Sequence, residues 1–194
     1  LLLLGQSVAK LNRALRKDEQ TEIIGIRLAD AVAWLCAVVN YFEDLPFADA
    51  FASKYGKMEC PYCHEPYCLC EPDSRSETQK NSFKKMELGD HGKPLSWCCH
   101  HLEAIYGQRN RDEGIYRVIA HLIEETSEVL LLTGITVIEP NNLDELEQQY
   151  ALELADVLAH LIAIANFKKI DLAATIQTRY GNGFKLNLGE RWGR

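Results

Sequence analysis

The sequence predicts an all-α fold with a four-helix-bundle-type core, on three observations. Apolar residues recur at helical spacing through two long stretches, Arg117–Thr133 and Leu143–Asn166. Three stretches in the first third, Leu1–Arg16, Ile23–Tyr41 and Phe47–Tyr55, also read as helices. Finally, part of the chain is written twice: Leu28–Asn40 aligns with Leu154–Asn166, and after a one-residue gap Lys54–Gly56 aligns with Arg179–Gly181. Two similar buried helices would account for the shared aliphatics but not for the shared Asp, Asn, Tyr and Gly. A tandem duplication is therefore expected.

Composition bounds the rest. A chain of 194 residues that is 47% hydrophobic and 25% charged can bury a core in one domain or two small ones. A net charge of −7 argues against a general nucleic-acid binder. Leu1–Leu4 is too short for a signal peptide and no basic segment precedes it, and no uninterrupted apolar stretch reaches transmembrane length. A cytoplasmic location is expected.

In chain order, Leu1–Arg16 reads as an amphipathic helix, Ile23–Tyr41 as a strongly apolar one, and Phe47–Tyr55 as a short one closed by Gly56. These make a first repeat over residues 1–59. Residues 60–70 hold four of the seven cysteines, Cys60, Cys63, Cys68 and Cys70. Without a secretory signal, that spacing favours a structural zinc knuckle over disulfides, with His64 an alternative to one thiolate. Four protein ligands leave no open position, so the zinc would not be catalytic. Glu71–Pro94 is polar and poor in aliphatics, which makes 71–95 a mobile linker to the second repeat, 96–194. Trp97–Tyr106 reads as a helix. Adjacent ligands on a helix point about 100° apart, so Cys98, Cys99, His100 and His101 are not expected to share an ion, and packing is the reading for Cys98 and Cys99. Cys36 belongs to the core.

The chemistry concentrates in the last two long helices. Arg117–Thr133, stopped by Gly134, presents a stripe of Val118, Ile119, Leu122, Ile123, Thr126, Val129 and Leu130, with Glu125 and Glu128 at its border and Glu124 pointing away. After a break at Glu139–Asn142, the next helix carries Glu153, Asp156 and His160 on one side and almost nothing else polar. An acidic run on one helix is ordinarily a solvated face. A second pair on a helix this apolar reverses that judgement. Four converging carboxylates repel unless some protonate or a cation sits among them, and an all-oxygen set suits Mg²⁺ or Mn²⁺.

Glu125-x-x-Glu128 followed by Glu153-x-x-Asp156 resembles the MazG-type motif of the all-α nucleoside triphosphate pyrophosphohydrolases. Ile105–Arg111 upstream, with Ala165–Leu172 and Arg179–Gly181 downstream, is similar to flanking helices of that family, so the resemblance spans roughly Ser96 to Phe184. It implies that Glu125, Glu128, Glu153 and Asp156 hold Mg²⁺ against a nucleoside triphosphate that is cut between its α and β phosphates. It also places Arg179, Asn182 and Lys185 where late basic and amide residues would meet phosphate. Arg109 and Arg111 are further cations, and Trp97, Tyr106 or His160 candidates for a base pocket. In the first repeat, Arg27 stands for Glu153 and Trp34 for His160, so that copy keeps the packing and loses the metal; Asp30 is expected to pair with a basic residue. The family's bundle needs more than one repeat, giving either an intramolecular pseudo-dimer or a homodimer through the second halves. Two other functions stay open: hydrolysis of another nucleotide phosphoanhydride, and a non-catalytic nucleotide sensor or adaptor.

Overall fold

Leu4, Val8, Leu11 and Leu15 recur every three to four residues, and this buried stripe makes α1 (Leu2–Arg16). The computed structural model describes residues 1–42, 45–70, 93–138 and 143–181, with the backbone alone at 135–138 and 143–145. Among them the chain is all-helical: α1 is followed by α2 (Thr21–Tyr41), α3 (Phe47–Tyr55), α4 (Leu95–Glu113), α5 (Ile115–Ile138), α6 (Leu143–Phe167) and α7 (Leu172–Tyr180). Of the expected linker only residues 93–95 are described, and Leu95 already opens α4.

Two helices run further than expected. α4 continues past Tyr106 to Glu113 because Gly107 sits inside a regular helix, and Gln108–Asp112 and Arg109–Glu113 pair at four-residue spacing beyond it. It ends at Gly114, whose φ of 84° is open to glycine without strain and lets α5 start at once. α5 passes through Gly134, which is exposed with nothing near its missing Cβ. A glycine there costs only about 1 kcal/mol against alanine and does not stop a long helix. The expected apolar stripe of α5 is also narrower than supposed. Val118, Ile119, Leu122, Thr126 and Val129 are buried, whereas Ile123 and Leu130 are 42% and 37% exposed.

Helix contacts give the architecture. α1 and α2 pair, as do α5 and α6; α1 also meets α5 and α2 meets α6, so these four helices close into a ring. The short helices cross over. α3, from the first half, lies on α6, and α7, from the second, lies on α2. α4 covers α5, α6 and α7. α2 and α6, each enclosed by several neighbours, bury residues all round: Leu28, Val32 and Leu35 in one, and Leu154, Leu158 and Leu161 in the other, are 0% exposed. Residues Leu146–Phe167 are long and apolar enough to cross a membrane, but 67% of the most apolar window is buried against the other helices.

α7 is held mainly by Leu172 and Ile176, 1% and 3% exposed, at four-residue spacing. Its polar tie, Arg179 to Asp30 on α2, lies near the surface. Leu172→Ala should therefore lower unfolding free energy by about 2–5 kcal/mol, and Arg179→Ala by under about 1 kcal/mol. Chemical denaturation of both variants checks the order; equal losses would contradict it.

Candidate functional site

Glu125 lies on the inner side of α5, and Glu153 and Asp156 follow one another on α6 at the spacing of one turn. The antiparallel packing of the two helices brings one oxygen from each within 4.8 Å of the others. Glu125 and Asp156 are 7% and 3% exposed, and Glu153 is half-buried. Glu128 stays outside this trio. It is half-buried beside Glu153, close enough to raise that residue's pKa. Glu124 faces outward and meets His121 at 3.2 Å.

Asp156 has partners the sequence analysis did not place there. Lys54 Nζ donates to its Oδ2 and Tyr55 OH to its Oδ1, across 102 and 101 positions of chain. Both donors are buried because α3 turns one face inward: Phe47, Ala50, Phe51, Lys54 and Tyr55. Burial works against the charge of Lys54, and Asp156 more than offsets it, so its pKa rises. A contact of the same kind joins α7 to α2. Arg179 Nε and Tyr180 OH donate to Asp30 Oδ1 at 2.5 and 2.7 Å, and Arg27 adds a contact to Asp30 at 3.7 Å. Arg179, expected at the phosphates, thus serves Asp30, and its counterpart Lys54 serves the acidic cluster. Asn182 and Lys185 lie outside the described residues.

The acidic trio fits a cation. Three carboxylates and one ammonium, all ionised, leave two negative charges. One oxygen each of Glu125 and Glu153 (Oε2) is buried without a hydrogen-bond partner, a costly arrangement unless a proton or a metal ion satisfies it. Burial first and the neighbouring Asp156 second push Glu125 up to about 9 and Glu153 up to about 7.

A cleft opens beside the trio, with about 570 Å³ of empty space including its mouth, in the size range of small-molecule sites, about 300–1,000 Å³. Tyr55, Tyr62, Tyr106, Arg109, His121 and His160 line it. Tyr55 is shared with Asp156. His160 is one turn after Asp156, its Nδ1–H on the Asp156 carbonyl at 2.9 Å, and His121 is one turn before Glu125. Trp97 is not in the lining; it stacks at 4.3 Å on His101, whose Nε2–H holds the carbonyls of Tyr55 and Lys57 at 2.6 and 3.0 Å. His101 therefore anchors the end of α3. Arg111 pairs with Glu103, away from the cleft. Cys36 and Cys98 are buried in the main core and Cys99 packs against it, as expected of packing residues.

The sulfurs of Cys60, Cys63, Cys68 and Cys70 lie within 4.8 Å of one another and form no disulfide. Cys60 Sγ is 3.6 Å from Cys68 Sγ and 3.8 Å from Cys70 Sγ. A tetrahedral thiolate site with metal–sulfur bonds of about 2.3 Å has edges of about 3.8 Å. His64 is not part of it: the residue turns outward at φ 58° and its ring lies 3.7 Å from Glu59. Comparison of the chain with protein-family models, curated proteins and solved structures returns no match.

The acidic trio sets a pH dependence. Folding raises the pKa of Glu125 and Glu153, so the folded chain holds protons that the unfolded chain releases. Cation-free stability should fall as pH rises from about 4.5 through about 9 on their account. A divalent cation binds the ionised form and reverses the trend. The melting-temperature rise given by Mg²⁺ or Mn²⁺ should grow from about pH 5 to about pH 9, and Glu125→Gln should flatten it. A cation effect equal at both ends of that range would rule out the trio as the metal site.

Proposed function

We propose that this protein is a Mg²⁺-dependent nucleoside triphosphate pyrophosphohydrolase of the MazG-like kind, releasing a nucleoside monophosphate and pyrophosphate. The observation that carries this reading is the buried Glu125–Glu153–Asp156 trio, with two unpartnered oxygens, at the edge of an aromatic cleft. A nucleoside triphosphate presents anionic phosphates to be neutralised and a planar base to be held, and the acidic trio and the aromatic cleft adjoin through Tyr55.

In this reading residues 1–59 and 96–194 are two MazG-like repeats packed as an intramolecular pseudo-dimer on a four-helix-bundle-type core. The crossing of α3 and α7 supports it, because each repeat then lends a basic residue and a tyrosine to the other's aspartate. One chain completes one site, and a homodimer is not needed for that. The knuckle would hold structural zinc, suited to a reducing, cytoplasmic setting.

Glu125, Glu153 and Asp156 would hold the magnesium ion. When bound, the ion supplies charge neutralisation at the triphosphate oxygens and acidifies a neighbouring water. Glu128, beside Glu153 and outside the trio, takes the proton as the water oxygen bonds to the α phosphorus. The bond from that phosphorus to the bridging oxygen breaks, and pyrophosphate leaves with the oxygen. Lys54, buried against Asp156, holds that carboxylate ionised and in place beside the ion's position.

A second reading, a nucleotide sensor without turnover, has one observation in its favour: the Lys54 ammonium already neutralises Asp156. Pyrophosphate release from a panel of ribo- and deoxynucleoside triphosphates separates the two. Wild type with Mg²⁺ or Mn²⁺ should release pyrophosphate, and Glu153→Gln and Asp156→Asn should lower the rate by about a hundredfold or more. Binding without release by folded, metal-supplied wild type would leave the sensor reading.

A further inference from the structure

The thiolate knuckle is not a remote clip. Its Cys68 N–H donates to the Ile105 carbonyl of α4 at 2.7 Å, and Arg109 Nη1, one turn on, donates to Cys68 Sγ at 3.6 Å. Cys60, Cys68 and Ile105 form a small core beside the main one, with Tyr62 packed against it and Tyr106 of α4 packed against both. Tyr62 lies between the ligands Cys60 and Cys63, and it lines the cleft beside the acidic trio.

Those facts set a dependence. A core of three buried residues holds a loop in place weakly, whereas four thiolates on one ion fix the loop outright. Tyr62 has a ligand two residues before it and another immediately after it, so its position follows the ion. Arg109 is tied to the same thiolate set through Cys68. The opposite wall is independent of the knuckle: His121 and His160, with ring centres 5.7 Å apart, come from α5 and α6.

We propose that the metal-loaded knuckle forms one wall of the ligand site, holding Tyr62 opposite Tyr106 of α4 so that the cleft takes the planar heteroaromatic ring of a nucleotide. Tyr62 and Tyr106 supply aromatic faces, and Arg109 and Asn110 supply donors for the ring's edge. The proposal rests on the preceding reading in placing the triphosphate at the acidic trio. The thiolate metal then acts on recognition of the base and leaves contacts to the phosphates untouched.

The test measures binding by calorimetry, with Mg²⁺ present, of three probes: the four common ribonucleosides, their α,β-methylene triphosphates, and inorganic tripolyphosphate. Each is titrated into zinc-loaded wild type, chelator-stripped wild type, and zinc-loaded Tyr62→Ala and Tyr62→Phe. Zinc content is read by dye release and folding by far-ultraviolet circular dichroism. Stripping and Tyr62→Ala should each weaken methylene-triphosphate binding by about tenfold or more, with Tyr62→Phe within about twofold of wild type and tripolyphosphate unaffected throughout. Nucleotide affinity indifferent to zinc and to Tyr62→Ala overturns the proposal. So does a parallel loss of tripolyphosphate affinity, or a loaded wild type that binds no nucleoside or nucleotide. Should stripping unfold the chain, the two loaded variants decide alone. Zinc- and Tyr62-dependent nucleoside binding without any pyrophosphate release would sink the pyrophosphohydrolase reading and leave this one standing. Cleavage with a KM unchanged in Tyr62→Ala and in stripped protein would do the reverse.

Discussion

The arrangement turns on one buried contact, Lys54 and Tyr55 against Asp156. Three carboxylates gathered on the inner side of a helix pair repel one another unless protons or a counter-charge relieve them. The ammonium that relieves them comes from a helix more than 100 residues earlier, so the site cannot form until the first half has docked on the second. Breaking one partner of such a pair leaves the other charged and dry, which costs far more than the pair is worth intact. His101, buried at the end of α3, adds a second lock on the same helix.

Much of the fold was legible because helical period is a local property. α1, α2, α3 and α6 lie where the apolar spacing places them. Helix ends were less legible: Gly134 read as a stop although α5 runs through it, and the helix read to Tyr106 continues to Glu113 on side-chain pairs four residues apart. Ile123 and Leu130 were read as core because the expected stripe was drawn wider than the face α5 buries.

The site was half legible. Glu125, Glu153 and Asp156 follow from spacing on two helices that are neighbours in sequence. Glu128 shares the motif and the same three-residue spacing, yet it lies beside Glu153 and outside the trio. Lys54 was missed because a lysine near the end of a short helix reads as solvated. The signal was available: positions 47, 50, 51, 54 and 55 mark one inward face, and Lys54 is on it. The sequence aligned Lys54 with Arg179, yet an alignment does not say which aspartate each meets: Lys54 on α3 reaches Asp156 on α6, and Arg179 on α7 reaches Asp30 on α2.

That exchange has a consequence for how the chain reaches its native state. Because α3 completes the second half and α7 completes the first, neither half holds a full set of its own contacts. Local helix hairpins form from near neighbours, but the docking steps join residues separated by more than 100 positions, so contact order is high for an all-helical chain and folding should be slower than for a simple bundle. Two separated fragments, 1–70 and 93–181, would each expose the groove that the other's short helix fills. Mixing them would then restore the fold as a complementation reaction, with each fragment templating its partner.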